Sequence, residues 1–218
     1  MLSQDKRNVI AKRIAQELED GQVVNLGIGV PTLVPTYLNG KTVHLQTENG
    51  LLGMGPAPLE EEIDIDLMNA GKEPVTYLKG ASFFNSADSF ALIRGGHVDV
   101  AVLGILQVDI YGEIANWAVP NQPILGVGGA MDLVTGAKKV IAAATLFAKD
   151  GTSKLVKELT YKTSGARRID LFVSDYAVFS FTDEGVKVVE ILEDVTIQEL
   201  SEKVGFTLEY AHDYVPNR

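Results

Sequence analysis

The chain has 218 residues, 46% of them hydrophobic, enough to bury a real core, and one domain over residues 1–218 is expected. It contains no cysteine, so disulfide, thiolate and cysteine-ligated metal chemistry are excluded. Its formal net charge of −10 argues against gripping nucleic acid, which needs clustered Lys and Arg, and means that a polyanionic ligand must find a local basic pocket or a basic partner chain.

No run of about 18 apolar residues and no basic head followed by an apolar block is visible, so a cytoplasmic protein without a membrane span is expected. Ile10, Ile14 and Leu18 recur at helical spacing, which predicts an amphipathic helix over residues 3–19, closed by Asp20-Gly21. A strand follows over 22–28. Pro31 then opens a short helix over 32–38, and Asn39-Gly40 turns the chain into a strand over 42–46. Beyond a long loop rich in Gly, Pro and acidic residues, a strand at 75–78 leads to a helix over 86–94, capped by Ser or Asp in front and Gly95 behind. The apolar runs at 98–104 and 140–144 are those of strands buried on both faces, which implies a partly parallel sheet covered by helices. Shorter strands are read at 169–173, 177–181 and 186–191. Thr196 and Glu199 have capping-box spacing for a last helix to about Lys203. The fold class expected is α/β, a mixed, partly parallel sheet flanked by helices.

Two strand ends run into glycine-rich turns. Asn25-Leu26-Gly27-Ile28-Gly29-Val30-Pro31-Thr32 places glycines between strand and helix but fails the dinucleotide fingerprint, because Thr32 stands where the third glycine belongs and Pro31 intrudes. What survives is a tight turn that a ligand or another backbone can approach. The second is Leu45-Gln46-Thr47-Glu48-Asn49-Gly50-Leu51-Leu52-Gly53-Met54-Gly55-Pro56, where a carboxylate sits among apolar residues. Glu48 is a candidate functional group, although from spacing alone a solvated turn glutamate is the commoner explanation.

This second segment resembles the Leu-Gln-Ser-Glu-Asn-Gly-Leu-Leu-Gly signature of the β subunits of family I CoA transferases, the acetate, butyrate and 3-oxoacid transferases, with Thr47 where serine is usual. The likeness continues in 25–31, in Ser89-Phe-Ala-Leu-Ile-Arg-Gly-Gly-His97, in Gly112-Glu-Ile-Ala-Asn-Trp117 and in Gly128-Gly-Ala-Met-Asp-Leu133, so it covers nearly the whole chain. The resemblance implies the α/β fold shared with certain sugar-phosphate isomerases. It implies Glu48 as the nucleophile of a ping-pong exchange through a glutamyl-CoA thioester, with acyl-CoA and a short-chain carboxylic acid as substrates and no metal or redox cofactor. The α-subunit motif is absent from the sequence, so a separate α subunit in an α2β2 assembly is expected.

Each attack in such a cycle creates an oxyanion that needs preorganised donors. Gly27 and Gly29 are placed near Glu48 because both turns end neighbouring strands, and Gly128, Gly129 and Ala130 are placed along the CoA path by resemblance; a plain turn is the alternative at each. Leu51, Leu52, Met54 and Trp117 are candidates to exclude water, or ordinary core. Glu60, Glu61, Glu62, Asp64 and Asp66 lack calcium-loop spacing and read as a solvated loop. His44, His97 and His212 show no metal-ligand spacing, and Lys138-Lys139 and Arg167-Arg168 are candidates to meet a CoA phosphate, with a surface role the commoner explanation. The alternatives are a dicarboxylate transferase of the glutaconate type and a fold relative without transferase activity, a sugar-phosphate isomerase or a ligand-binding regulator.

Overall fold

The computed structural model describes residues 2–69, 71–119, 126–165, 167–212 and 214. In chain order the elements are α1 (Leu2–Gln16), β1 (Val23–Leu26), a 3-10 helix (Val30–Tyr37), β2 (His44–Thr47), β3 (Leu51–Met54), a 3-10 turn (Glu60–Glu62), β4 (Tyr77–Phe83), α2 (Ser86–Arg94), β5 (Val100–Gly104), β6 (Gln107–Asp109) and β7 (Ile114–Ala115). They continue with α3 (Ala130–Gly136), β8 (Lys139–Ala143), β9 (Leu155–Val156), β10 (Leu171–Val173), β11 (Ala177–Thr182), β12 (Gly185–Ile191), α4 (Ile197–Val204) and β13 (Glu209–Tyr210). Ten strands form one sheet in the order β13-β12-β11-β10-β8-β5-β1-β2-β3-β4, and β7-β6-β9 form a small second sheet. The centre, β10-β8-β5-β1-β2, is parallel throughout; on one flank β3 and β4 run antiparallel to their neighbours, and on the other β11 runs antiparallel to β10 and β12 to β11, with β13 parallel to β12.

The period-two geometry of a strand explains why the central runs are apolar without a break. Val100 and Val102 of β5, Ile141 and Ala143 of β8 and Val173 of β10 point to one face, where they pack with Ile10, Ile14 and Leu18. The residues between them, Ala101, Leu103, Val140, Ala142 and Phe172, point to the other, against Ile93 of α2, Leu133 and Val134 of α3 and Leu200 of α4. No helix among the described residues is long and apolar enough to cross a membrane.

The mixed α/β sheet agrees with the sequence reading, and the differences have local causes. The segment after Pro31 is a 3-10 helix, because Pro31 and Pro35 remove N–H donors from any α-helical ladder. The first helix stops at Gln16, where the Lys41 ammonium takes up the carbonyls of Ala15 (3.0 Å), Gln16 (3.4 Å) and Leu18 (2.6 Å). Helix α2 is capped by Asn85, which accepts from the Asp88 N–H at 2.9 Å, not by Ser or Asp. Strand β3, helix α3 and the small sheet were not foreseen. Glycines 50, 53 and 55 hide β3 inside what reads as a loop, and the other pieces are too short to show a period. The expected capping box is present, with Thr196 and Glu199 bonded reciprocally at the start of α4. Thr196→Ala should therefore cost about 1 kcal/mol, seen by calorimetry as a fall in Tm of roughly 2–4 °C for a chain of this size.

Candidate active site

The parallel strands β1, β2, β5 and β8 deliver their carboxyl ends to one edge of the sheet. From β1 the chain crosses to β2 on one side, whereas β5, on the other side of β1, is followed outward by β8, so the chain direction switches between β1 and β5. There Gly27 lies flat on β5: its N–H donates to the Val102 carbonyl at 2.8 Å, and a Cβ on it would stand 3.1 Å from that oxygen. Gly29 takes a positive φ of 95° and caps the 3-10 helix.

One strand over, β2 ends in the three-residue turn Glu48-Asn49-Gly50. A run of buried amide and hydroxyl groups holds this strand end in place. The Asn25 amide donates to Gln46 Oε1 at 2.6 Å and to the Gln46 carbonyl at 3.1 Å. Gln46 Nε2 in turn donates to Ser89 Oγ at 2.8 Å and to the Thr47 carbonyl at 2.9 Å. Bridging Glu48, the Thr47 hydroxyl donates to Asn49 Oδ1, and the Asn49 amide donates to the Met68 carbonyl at 2.8 Å. Asn25, Gln46, Thr47 and Ser89 are all buried, so each lost bond would strand a desolvated polar group, at about 1–3 kcal/mol. No described buried side chain is left unpaired.

Glu48 itself is half-buried and its carboxylate receives the Gly129 N–H. Burial pushes its pKa above the usual carboxylate value, the Gly129 bond opposes the rise, and the negative charge of Asp132 adds to it. Asp132 is itself held by Arg94 of α2 at 2.6 Å. The fit around the carboxylate is close: a Cβ at Gly129 would stand 2.0 Å from Glu48 Oε2 and 3.1 Å from the Phe90 ring. Gly128 has a φ of 57°, and a Cβ there would clear Glu48 Oε1 at 3.8 Å. Ala130, buried, begins α3.

The structure thus brings Gly128 and Gly129 to Glu48, with Ala130 next along the chain. Gly27 and Gly29 end the neighbouring strand instead, and the Gly27 N–H is taken up within the sheet. Of the apolar candidates, Leu51 is buried and Met54 packs on the α1 side of the core, while Trp117 is half-buried with its Nε1 donating to the Thr163 carbonyl at 3.2 Å. His44, His97 and His212 are exposed. Lys138 pairs with Asp99 and Lys139 with Glu17, while Arg167 bonds the Ala137 and Lys138 carbonyls and Arg168 pairs with Asp183. Sequence reasoning missed Gln46, Ser89, Phe90 and Asp132. Its one available signal was the polar Asn25 inside the apolar run Val23–Leu26, which needs a buried partner.

The sequence model of the coenzyme A transferase family matches residues 7–203. The chain belongs to the coenzyme A transferase family, a family of transferase enzymes. Within it, the chain is 51% identical over 197 residues to the B subunit of the succinyl-CoA:3-ketoacid coenzyme A transferase of Helicobacter pylori, covering 90% of this chain and 95% of that one. It is 50% identical over 203 residues to the B subunit of the 3-oxoadipate CoA-transferase of Pseudomonas putida, 93% of this chain and 95% of the other. The crystal structure of the acyl-CoA transferase YdiF apoenzyme from Escherichia coli O157:H7 superimposes with a TM-score of 0.78 at 22% identity, over 98% of this chain. The chain spans only 43% of the length of that transferase.

The two glycines at Glu48 are separable by experiment. Gly129→Ala should displace the carboxylate and cut turnover about a hundredfold, as a misplacement of about 1 Å does. Gly128→Ala should instead cost about 1 kcal/mol of stability for its left-handed backbone, with the larger share of turnover retained; steady-state rates and melting curves of both variants check this. The raised pKa of Glu48 makes a further statement. A carboxyl that binds its proton more tightly folded than unfolded costs stability once the pH exceeds both pKa values, and nothing once the pH lies below both. Glu48→Gln, which can still accept from Gly129, should therefore raise Tm at neutral pH, with a gain that vanishes in acid, as a pH series of melting curves will read.

Proposed function

We propose that this chain is the catalytic β subunit of an enzyme that moves coenzyme A between a short-chain acyl-CoA and a carboxylic acid. The proposal extends to a separate α subunit, an α2β2 assembly and residence in the cytoplasm, where the charged CoA thioesters are retained. The observation that carries the reading is Glu48: the one acidic side chain of the family signature is seated at the carboxyl edge of the parallel strands and pressed against Gly129. The relatives' names, B subunits of CoA transferases acting on succinyl-CoA with a 3-ketoacid or on 3-oxoadipate, support the substrate class and the partner.

In this reading the Glu48 carboxylate attacks the thioester carbonyl of the donor; the C–S bond breaks, CoA leaves as thiolate, and an acyl–glutamyl anhydride remains. The thiolate attacks the glutamyl carbonyl, the donor acid leaves as carboxylate, and Glu48 becomes a glutamyl-CoA thioester. An acceptor carboxylate then runs the two steps in reverse. Every step trades one activated acyl bond for another, so the cycle asks for no metal or redox cofactor. A raised pKa suits the nucleophile, because a more basic carboxylate attacks better. The Gly129 N–H fixes the attacking oxygen, and the backbone N–H groups of Gly128, Gly129 and Ala130 are the proposed donors to the oxyanions. Gly27 and Gly29 shape the neighbouring wall, and Phe90 keeps water from the anhydride.

The assembled enzyme, given acyl-CoA without an acceptor acid, should gain the mass of CoA less one water on the peptide that holds Glu48. Glu48→Ala should carry no adduct and no exchange activity, and Glu48→Asp should lose about a hundredfold or more, since its carboxylate is drawn back by about one bond. An adduct on another carboxylate, or full activity in the alanine variant, overturns the assignment.

A further inference from the structure

Strand β4 ends the ten-stranded sheet, and of its seven residues all but Ala81 are exposed. End strands normally hide their apolar side chains or carry charges that discourage pairing. This one carries one charge, the exposed Lys79, and beside it bears Tyr77, Leu78 and Phe83, each about half or more exposed, with the Tyr77 and Phe83 rings in edge contact at 5.4 Å. The register with β3 slips between Leu52 and Met54, so that β4 bulges between Tyr77 and Ser82, with Ala81 packed against Gly53 and Leu78, Lys79 and Gly80 exposed. The segment before β4 adds to the patch. It is stitched to the strand ends by the Gly55 N–H to the Thr76 carbonyl (2.8 Å), the Thr76 N–H to the Pro56 carbonyl (3.0 Å) and the Val75 N–H to the Leu67 carbonyl (3.2 Å). Between those stitches it holds up Leu59, Ile63 and Ile65, the last 74% exposed. These six are the majority of the large apolar side chains exposed in the described residues. Interleaved with them stand Glu60, Glu61, Glu62, Asp64 and Asp66, none of which forms a salt bridge among the described residues.

We propose that the bulged β4 edge and the 59–65 loop are the surface on which the α subunit docks, through an apolar face of that subunit rimmed by Lys and Arg. This rests on the reading of the chain as one half of a two-subunit enzyme. Three observations choose the α subunit over a second copy of this chain. The carboxylates along the loop would face their own like in a symmetric pairing of this patch, whereas a basic rim complements them. The patch is continuous with the catalytic turn, since Asn49, beside Glu48, donates to the Met68 carbonyl of the same segment, and β3 joins that turn directly to β4. A net charge of −10 also leaves the binding of an anionic CoA dependent on positive charge from elsewhere, and a subunit seated here brings it next to Glu48. The bulge spoils the row of backbone donors and acceptors, so the docking is by side chains and not by an added strand.

The test co-expresses the chain with its cognate α subunit and reads the amount of α subunit that co-purifies, together with amide hydrogen exchange of this chain alone and assembled. The expected result is slowed exchange at 59–65 and 77–83 on assembly. Ile65→Glu and Leu78→Glu are each expected to weaken assembly by about tenfold or more, as loss of a buried interface anchor does. Tyr210→Glu, on the opposite end of the sheet, should leave it unchanged. Both test positions are exposed in the chain, and circular dichroism and melting curves verify that the variants fold; the exchange footprint on the wild-type complex needs no variant. If the wild-type subunits assemble while the footprint lies elsewhere and both variants still bind, the surface is wrong and the two-subunit reading stands. If the lone chain is a dimer whose mass halves in the two variants, the face belongs to a second copy and the proposal falls. If the purified chain turns over substrates by itself, both fall together.

Discussion

The arrangement depends on holding an ionisable carboxylate half out of water at the end of a strand. Water would level Glu48 to an ordinary surface glutamate, and full burial would neutralise it. The chain settles between these limits with one backbone donor, Gly129, and with the absence of a side chain at that residue. Helix α3 can bring Gly129 this close because α2 and α3 pack tightly: a Cβ on Gly136 would stand 2.2 Å from the Ile93 carbonyl. The helix pair is therefore the jaw that sets the distance between the Glu48 carboxylate and the Gly129 N–H, and the Arg94–Asp132 pair is its outer clasp.

The sheet supplies the opposite jaw. Because β1, β2 and β5 are parallel and buried on both faces, their ends are fixed by register, and the Glu48 position is as rigid as the sheet. The antiparallel β3 and β4 have a different part. They turn the chain back from Glu48 at once, through Gly50, whose φ of 120° and whose Cβ position 1.9 Å from the Phe84 carbonyl admit no side chain.

Where the sequence was legible, a physical period carried the message. The runs around Val102 and Ile141 declared a doubly covered parallel sheet, and the Thr196–Glu199 spacing declared a helix start. Glu48 was legible only through its neighbours' resemblance to a family signature, since a single carboxylate between a strand and Asn-Gly has no period and no unique spacing. The approach of Gly129 to Glu48 was out of reach of any local reading: the two are brought together by the packing of α2 on α3, a contact between residues far apart in the chain. The same holds for Ser89, an ordinary polar residue of α2 in the sequence and a buried partner of Gln46 in the fold. Strand β3 was lost because its glycines, which serve close approach to β4, look like loop punctuation.

The composition of the support beneath Glu48 has a chemical consequence. Asn25, Gln46, Thr47, Ser89 and Asn49 bear amides and hydroxyls alone, groups that neither gain nor lose a proton anywhere between mild acid and mild base. A histidine or a carboxylate in that relay would have made the scaffold itself respond to acidity, loosening the turn just as Glu48 changed state. With a proton-inert floor, the geometry around Glu48 stays constant while that carboxyl group gains or loses its proton, uncontaminated by movement of the ground on which it stands.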